Sequence, residues 1–144
     1  MIRMLLVLSL GVFVGMVGMA AAHNGEEGET VKFIGAHDIN EQLDGKVATA
    51  TVVEVILGPG QAGSAHRHPG PVFVYVIEGE YELGIDDQPT NVFKAGESFY
   101  EPTNCLHRVS RNPSSETTTR LLAVVVHPRD AKSVAIPEPP MPSS

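Results

Sequence analysis

Val, Ile and Thr crowd into short runs along this chain, and each run stops at Gly, Pro or a pair of acids. The longest run, Lys46–Leu57 (KVATATVVEVIL), is built from residues that favour extended, pleated backbone, and Gly58-Pro59-Gly60 ends it. A second strand is expected over Val72–Glu78, with Gly79 as a tight corner into residues 81–85 and Asp86-Asp87 opening the next turn. Short strands follow over Asn91–Lys94, Ser98–Glu101 and residues 106–111. After the loop NPSSET, residues 120–127 (RLLAVVVH) form a mostly apolar strand of the kind expected where both faces are buried. No convincing helical period and no internal repeat interrupts the series. About eight short strands at fairly regular spacing predict an all-β sandwich or barrel, a closed arrangement that also hides sheet edges.

The two ends read differently. Residues 1–22 carry a positive charge at Arg3, an apolar stretch from Met4 to Met19 broken only by Ser9, and Ala20-Ala21-Ala22 as small residues for cleavage. That is the order of a secretory signal peptide, with an uncleaved anchor as the rival and the only expected route to a membrane. Export would place the product in the periplasm or outside the cell. Residues 23–30 are polar and acidic and are expected to form a flexible leader. The barrel is expected over 31–130, and 131–144 is a Pro-rich tail expected to be extended or disordered. The chain carries 10 Lys+Arg against 17 Asp+Glu, net −7, and losing residues 1–22 removes one base and no acid. This acidity, with no local basic cluster, argues against a nucleic-acid partner. A single cysteine, Cys105, rules out an internal disulfide even in an oxidising compartment.

The chemistry concentrates in the histidines. His66 and His68 are two residues apart, so an extended backbone points both to one face. Two neutral imidazoles on one face can share a metal ion. His107 opens a later strand, and if the fold brings it beside the pair, three nitrogens leave one position open, the usual form of a catalytic metal site. An isolated H-x-H is more often an ordinary polar pair near a turn. Here it is not isolated. Gly60, His66, His68 and Gly79 form one ordered set, and Gly96, Pro102, His107 and Asn112 a second. Together they resemble the two motifs of the cupin superfamily, over roughly residues 47–127.

That resemblance implies a small jelly-roll β-barrel, often dimeric, so a second copy of the chain is an expected partner. It also implies a divalent transition metal: iron, copper, nickel, manganese or zinc. The match has departures. Val72 stands where the first motif has a glutamate, Asn104 stands where the second has glycine, and Asn112 falls one place late. Valine implies either a three-histidine site with no protein charge to offset the ion, or a metal-free barrel for an apolar ligand. Val72 and Cys105 are expected to line the pocket, though a small buried cysteine is the commoner role. Glu54 is expected to point outward as a solvated acid, Glu97 to sit in a turn, Phe73 and Tyr75 to pack between sheets, and His127 to lie at the surface. Arg67 and Arg108 have the parity that points away from the histidines. His23 would chelate copper if cleavage made it the mature terminus.

Three function classes follow from the resemblance. One is a metal-dependent oxidoreductase, dioxygenase-like, acting on a small hydrophobic or aromatic substrate. The alternative is a non-catalytic periplasmic module that binds a metal or small ligand. A cupin isomerase is a third, lacking any visible acid–base pair. Fold alone does not choose between them.

Overall fold

The computed structural model describes residues 28–43 and 45–139. Residues 1–27, with the expected signal segment and His23, lie outside the described residues. Among the described residues there are ten strands and no helix. These are β1 (Thr30–Leu43), β2 (Lys46–Leu57), β3 (His66–Arg67), β4 (Val72–Glu78), β5 (Glu80–Ile85), β6 (Asn91–Lys94), β7 (Ser98–Glu101), β8 (His107–Arg111), β9 (Thr119–Pro128) and β10 (Ile136–Pro137). They form two antiparallel five-stranded sheets, in the orders β1-β2-β9-β4-β7 and β10-β3-β8-β5-β6, that pack as a jelly roll.

The all-β expectation is met, and most strands fall where the apolar runs place them. Three do not: the two-residue β3, which carries His66, and β1 and β10. β1 has little alternation and is largely exposed, yet it pairs along β2 from Thr30↔Ile56 to Leu43↔Lys46. Long-range pairing rather than local propensity creates it. β10 comes from the Pro-rich end: Ile136 and Pro137 pair with Arg67 and His66, and Glu138 binds the Arg67 guanidinium. Residues 136–138 are thus tied to β3, the strand that carries a candidate ligand.

The core lies between the sheets. Val72, Val74 and Val76 on β4 meet Leu121, Ala123 and Val125 on β9, with Val53 and Leu57 from β2 and Tyr81 and Leu83 from β5. Tyr81 stacks on Phe99 with the rings 5.5 Å apart and nearly parallel. β9 alternates fully buried and half-buried positions, so only one of its faces is fully covered, contrary to the two-sided burial its composition suggested. The same holds outside β4. Phe73 and Tyr75 do not pack between sheets. They are 53% and 48% exposed on the outer face, because no described residue covers that side.

Tight corners set the frame. Gly70 in the Pro69-Gly70-Pro71 turn lies so close to the Val126 carbonyl that any Cβ would overlap it, so this turn is a corner pressed on β9. Asn104 adopts a left-handed φ of 61°, a geometry Asn tolerates. Buried Asn112 donates its amide to the carbonyls of Leu57, Gly58 and Thr117 and accepts from the Ser114 N–H. It holds together the loops at one end of the barrel.

Candidate metal centre

His66 sits on β3 directly opposite His107 on β8, and His68 lies just beyond the end of β3. Strand pairing thus supplies the convergence that sequence alone left conditional. The three side chains each offer a ligand atom within 4.8 Å of the others. His66 Nε2 and His68 Nε2 are 3.0 Å apart.

The hydrogen bonds assign the tautomers. His66 Nδ1 donates to the Ser64 carbonyl at 2.7 Å, and His68 Nδ1 donates to the Val134 carbonyl at 2.5 Å. A carbonyl only accepts, so each of these rings commits its Nδ1 proton there. When both rings carry only that proton, two Nε2 lone pairs face one another at hydrogen-bond distance. Lone pairs so placed repel unless a cation lies between them. A backbone carbonyl behind each imidazole is also how metal-binding histidines are commonly oriented.

His107 is held differently. Tyr81 gives its hydroxyl proton to Ser110 Oγ at 2.8 Å and accepts from His107 Nε2–H at 3.1 Å, while Ser110 reaches toward Glu29. This relay leaves the His107 lone pair on Nδ1, which is buried and has no hydrogen-bond partner. Burial and the neighbouring imidazoles push His107 down to about 3, and burial pushes His68 down to about 4. Both rings are neutral at pH 7, the form that binds metal.

A residue that the motif comparison passed over completes the inner wall. Glu101 on β7 is 2% exposed, and its Oε2 has no hydrogen-bond partner. Oε2 lies 3.4 Å from His107 Nδ1 and 3.6 Å from His68 Nε2. With both rings neutral these approaches are not ion pairs. Burial pushes the Glu101 carboxyl up to about 7, helped by the charge on Glu29. Alternation along Ser98–Glu101 was an ambiguous signal, because Phe99 and Tyr100 are both aromatic and either could have faced inward.

The cavity here is about 50 Å³ and is walled by Val72, Val74, Phe99, Leu121 and Ala123 beside the polar groups. Val72 therefore lines the site. Cys105 does not. It is buried in the turn before β8, where strand alternation does not apply, and burial pushes its thiol up to about 11. Arg67 binds Glu138 and the Asn104 carbonyl, and Arg108 binds the carbonyls of Asp86 and Gln88, so neither serves the site. His127 is not at the surface. It is 8% exposed and hydrogen-bonds Thr51 at 2.8 Å, because β2 pairs over β9 there. Glu54 does face away from the cavity, but it is covered rather than freely solvated, with Arg120 and Lys32 laid over it. Glu97 lies in the turn before β7, where it accepts from the Lys94 N–H.

A two-sheet jelly roll with three convergent imidazoles is a β-barrel with a site able to hold a metal ion. The chain belongs to the cupin family: the model of the cupin domain matches residues 53–125, just over half of it. No curated protein sequence matches this one. Among solved structures, a double-stranded β-helix protein of uncharacterised role from Klebsiella pneumoniae is 21% identical, with TM-score 0.57 over 80% of this chain and 90% of that one. An RmlC-like cupin from Shewanella frigidimarina is 22% identical, with TM-score 0.55 over 74% and 83%. A recombinant oxalate oxidase in complex with glycolate is 21% identical, with TM-score 0.56 over 74% of this chain and 54% of that one. At these identities the likeness is one of fold.

Proposed function

We propose that this chain is an exported mononuclear metal cupin that holds one divalent transition ion through His66, His68 and His107 and works as an oxidoreductase on a small substrate. The observation that carries the reading is the 3.0 Å approach of two Nε2 lone pairs, each fixed from behind by a carbonyl. Imidazole donors suit iron, copper, nickel, manganese or zinc better than magnesium or calcium. A bound ion would supply Lewis acidity and, for iron, copper or manganese, redox chemistry. The chain's own residues do the rest. Tyr81 keeps His107 in one tautomer, the Ser64 and Val134 carbonyls orient the other two rings, and the apolar wall keeps bulk water away.

Size narrows the substrate. A cavity of about 50 Å³ takes about one to a few water-sized groups. Dioxygen fits, while an aromatic ring is larger than the cavity. The oxalate oxidase with glycolate gives a precedent in this fold for two-carbon acids. The small cavity favours a second reading, a non-catalytic module that stores or carries a metal or small ligand. A second copy of the chain is the proposed partner, supported by exposed Phe73, Tyr75 and Tyr100 on the outer face, with Phe73 and Tyr100 rings 5.5 Å apart.

Elemental analysis of untagged protein from its export compartment, beside His66→Ala, tests the site. One equivalent of metal, lost in the variant, is expected, and none in either protein refutes the metal reading. Oxygen uptake by the loaded protein with small carboxylates and aromatic acids then separates the two functions. Metal without turnover on any of them favours the carrier.

A further inference from the structure

Val72 leaves the first motif without its carboxylate, and the inner wall holds another. Val72 on β4 is paired directly with Glu101 on β7. Directly opposed residues of antiparallel strands project to the same face with Cβ atoms about 4.5–5.5 Å apart. Glu101 therefore enters the cavity from the strand next to the one on which the family motif places its acid. We propose that Glu101 is the fourth, carboxylate ligand of the metal site, carried by β7 in place of the residue missing from β4.

Three observations carry this. Among the described residues, Glu101 Oε2 and His107 Nδ1 are the buried side-chain polar atoms with no hydrogen-bond partner, and they face each other. Their separation of 3.4 Å, and the 3.6 Å from Oε2 to His68 Nε2, are too long for good hydrogen bonds. Two donors each about 2.0–2.2 Å from one ion stand roughly 3.0–3.6 Å apart, so these spacings suit neighbours in one coordination sphere. Finally, His66, His68, His107 and Glu101 line one small space, and the ring N–H groups bonded to Ser64, Val134 and Tyr81 point away from it. A cation among the three nitrogens lies within reach of an oxygen that already stands beside two of them.

The consequence is a changed charge. Three imidazoles leave a dication uncompensated, whereas Glu101 lowers the site to a single positive charge. The site then depends less on an anion at the open position and better accommodates ions that prefer oxygen, such as manganese(II).

The inference rests on the metal reading, and the test separates the two. Cobalt(II) is titrated into metal-free wild type, Glu101→Gln, His66→Ala and the double variant Val72→Glu/Glu101→Gln, reading both affinity and the visible d–d spectrum. Glu101→Gln is expected to bind at least about 10-fold more weakly with a shifted spectrum. The double variant is expected to recover much of the affinity, because it returns a carboxylate to the neighbouring strand. Far-UV circular dichroism of the metal-free proteins checks folding. Unchanged affinity and spectrum in Glu101→Gln, with binding lost in His66→Ala, overturns Glu101 as a ligand and leaves the three-histidine site standing. No cobalt bound by folded wild type overturns both.

Discussion

Two glutamates with little exposed surface make the instructive contrast in this barrel. Glu54 lies on the outer face of the first sheet, 7% exposed, beneath the guanidinium of Arg120 and near the ammonium of Lys32. The Arg120 hydrogen bond, ahead of any effect of burial, holds its carboxyl below the usual range. Glu101 lies on the inner face with no cation beside it, and burial drives its carboxyl up instead. The layer over Glu54 is thin and made of flexible side chains, so water stays close. Glu101 is buried against an inner wall of apolar side chains and imidazoles, with no Lys or Arg among them. A buried acid that has its cation within the chain stays charged, while one without it holds its proton or takes a cation from outside the chain.

The largest way to break the contrast is to dismantle the inner site. Replacing His107 with Ala should lower metal affinity by more than the roughly 10–100-fold that losing an outer supporting group costs, as competition with a chromophoric chelator would show. Retained binding would mean that the imidazoles do not share an ion.

Next in size is the price of the inner charge. Folding raises Glu101 from 4.5 to about 7, so its stabilising contribution is complete below pH 4.5 and is lost as pH rises through 7. That loss amounts to about 3 kcal/mol by pH 8. Metal-free Glu101→Gln, which stays neutral, should therefore be the more stable protein at pH 8 and converge with wild type near pH 4.5 in urea unfolding. Saturating metal should reverse the order at pH 8. If the two proteins unfold alike at every pH, Glu101 is not desolvated as the packing implies.

Smaller is Tyr81→Phe, which leaves the His107 Nε2–H without its acceptor. A loss of about 1–2 kcal/mol is expected in thermal or urea unfolding, together with weaker metal binding as the ring is freed. An unchanged affinity would show that Tyr81 packs against Phe99 without orienting His107. Smallest is Glu54→Gln on the outer side. Its ion pair is stabilising above the ordinary carboxylate pKa of 4.5 and fades as pH falls through the depressed value. A modest drop in the melting midpoint at pH 7 that shrinks with added salt is expected. A drop as large as that of an inner-site variant would erase the distinction between the two acids.

Most of the frame was legible along the chain. The runs now seen as β2, β4, β6 and β7 matched their bounds because Val, Ile, Thr and aromatic residues at short spacing suit few other structures. The parity of His66 and His68 was legible because it is a local property of extended backbone. β1 and β10 were not legible, since their composition is unremarkable and each is a strand only through a partner elsewhere in the chain. Nor was the exposure of Phe73 and Tyr75, since an aromatic residue does not record which face of a sheet will be covered.

The sequence by itself determined that this is a closed β structure, that His66 and His68 share a face, and that Val72 removes the acid expected beside them. Tertiary structure alone decided that β8 lays His107 across from His66, that the Val134 carbonyl comes back to fix His68, and that Glu101 stands opposite Val72. The physical reason is the range of each constraint. Backbone alternation is set by neighbouring residues, while the register between distant strands is set by how the whole core packs.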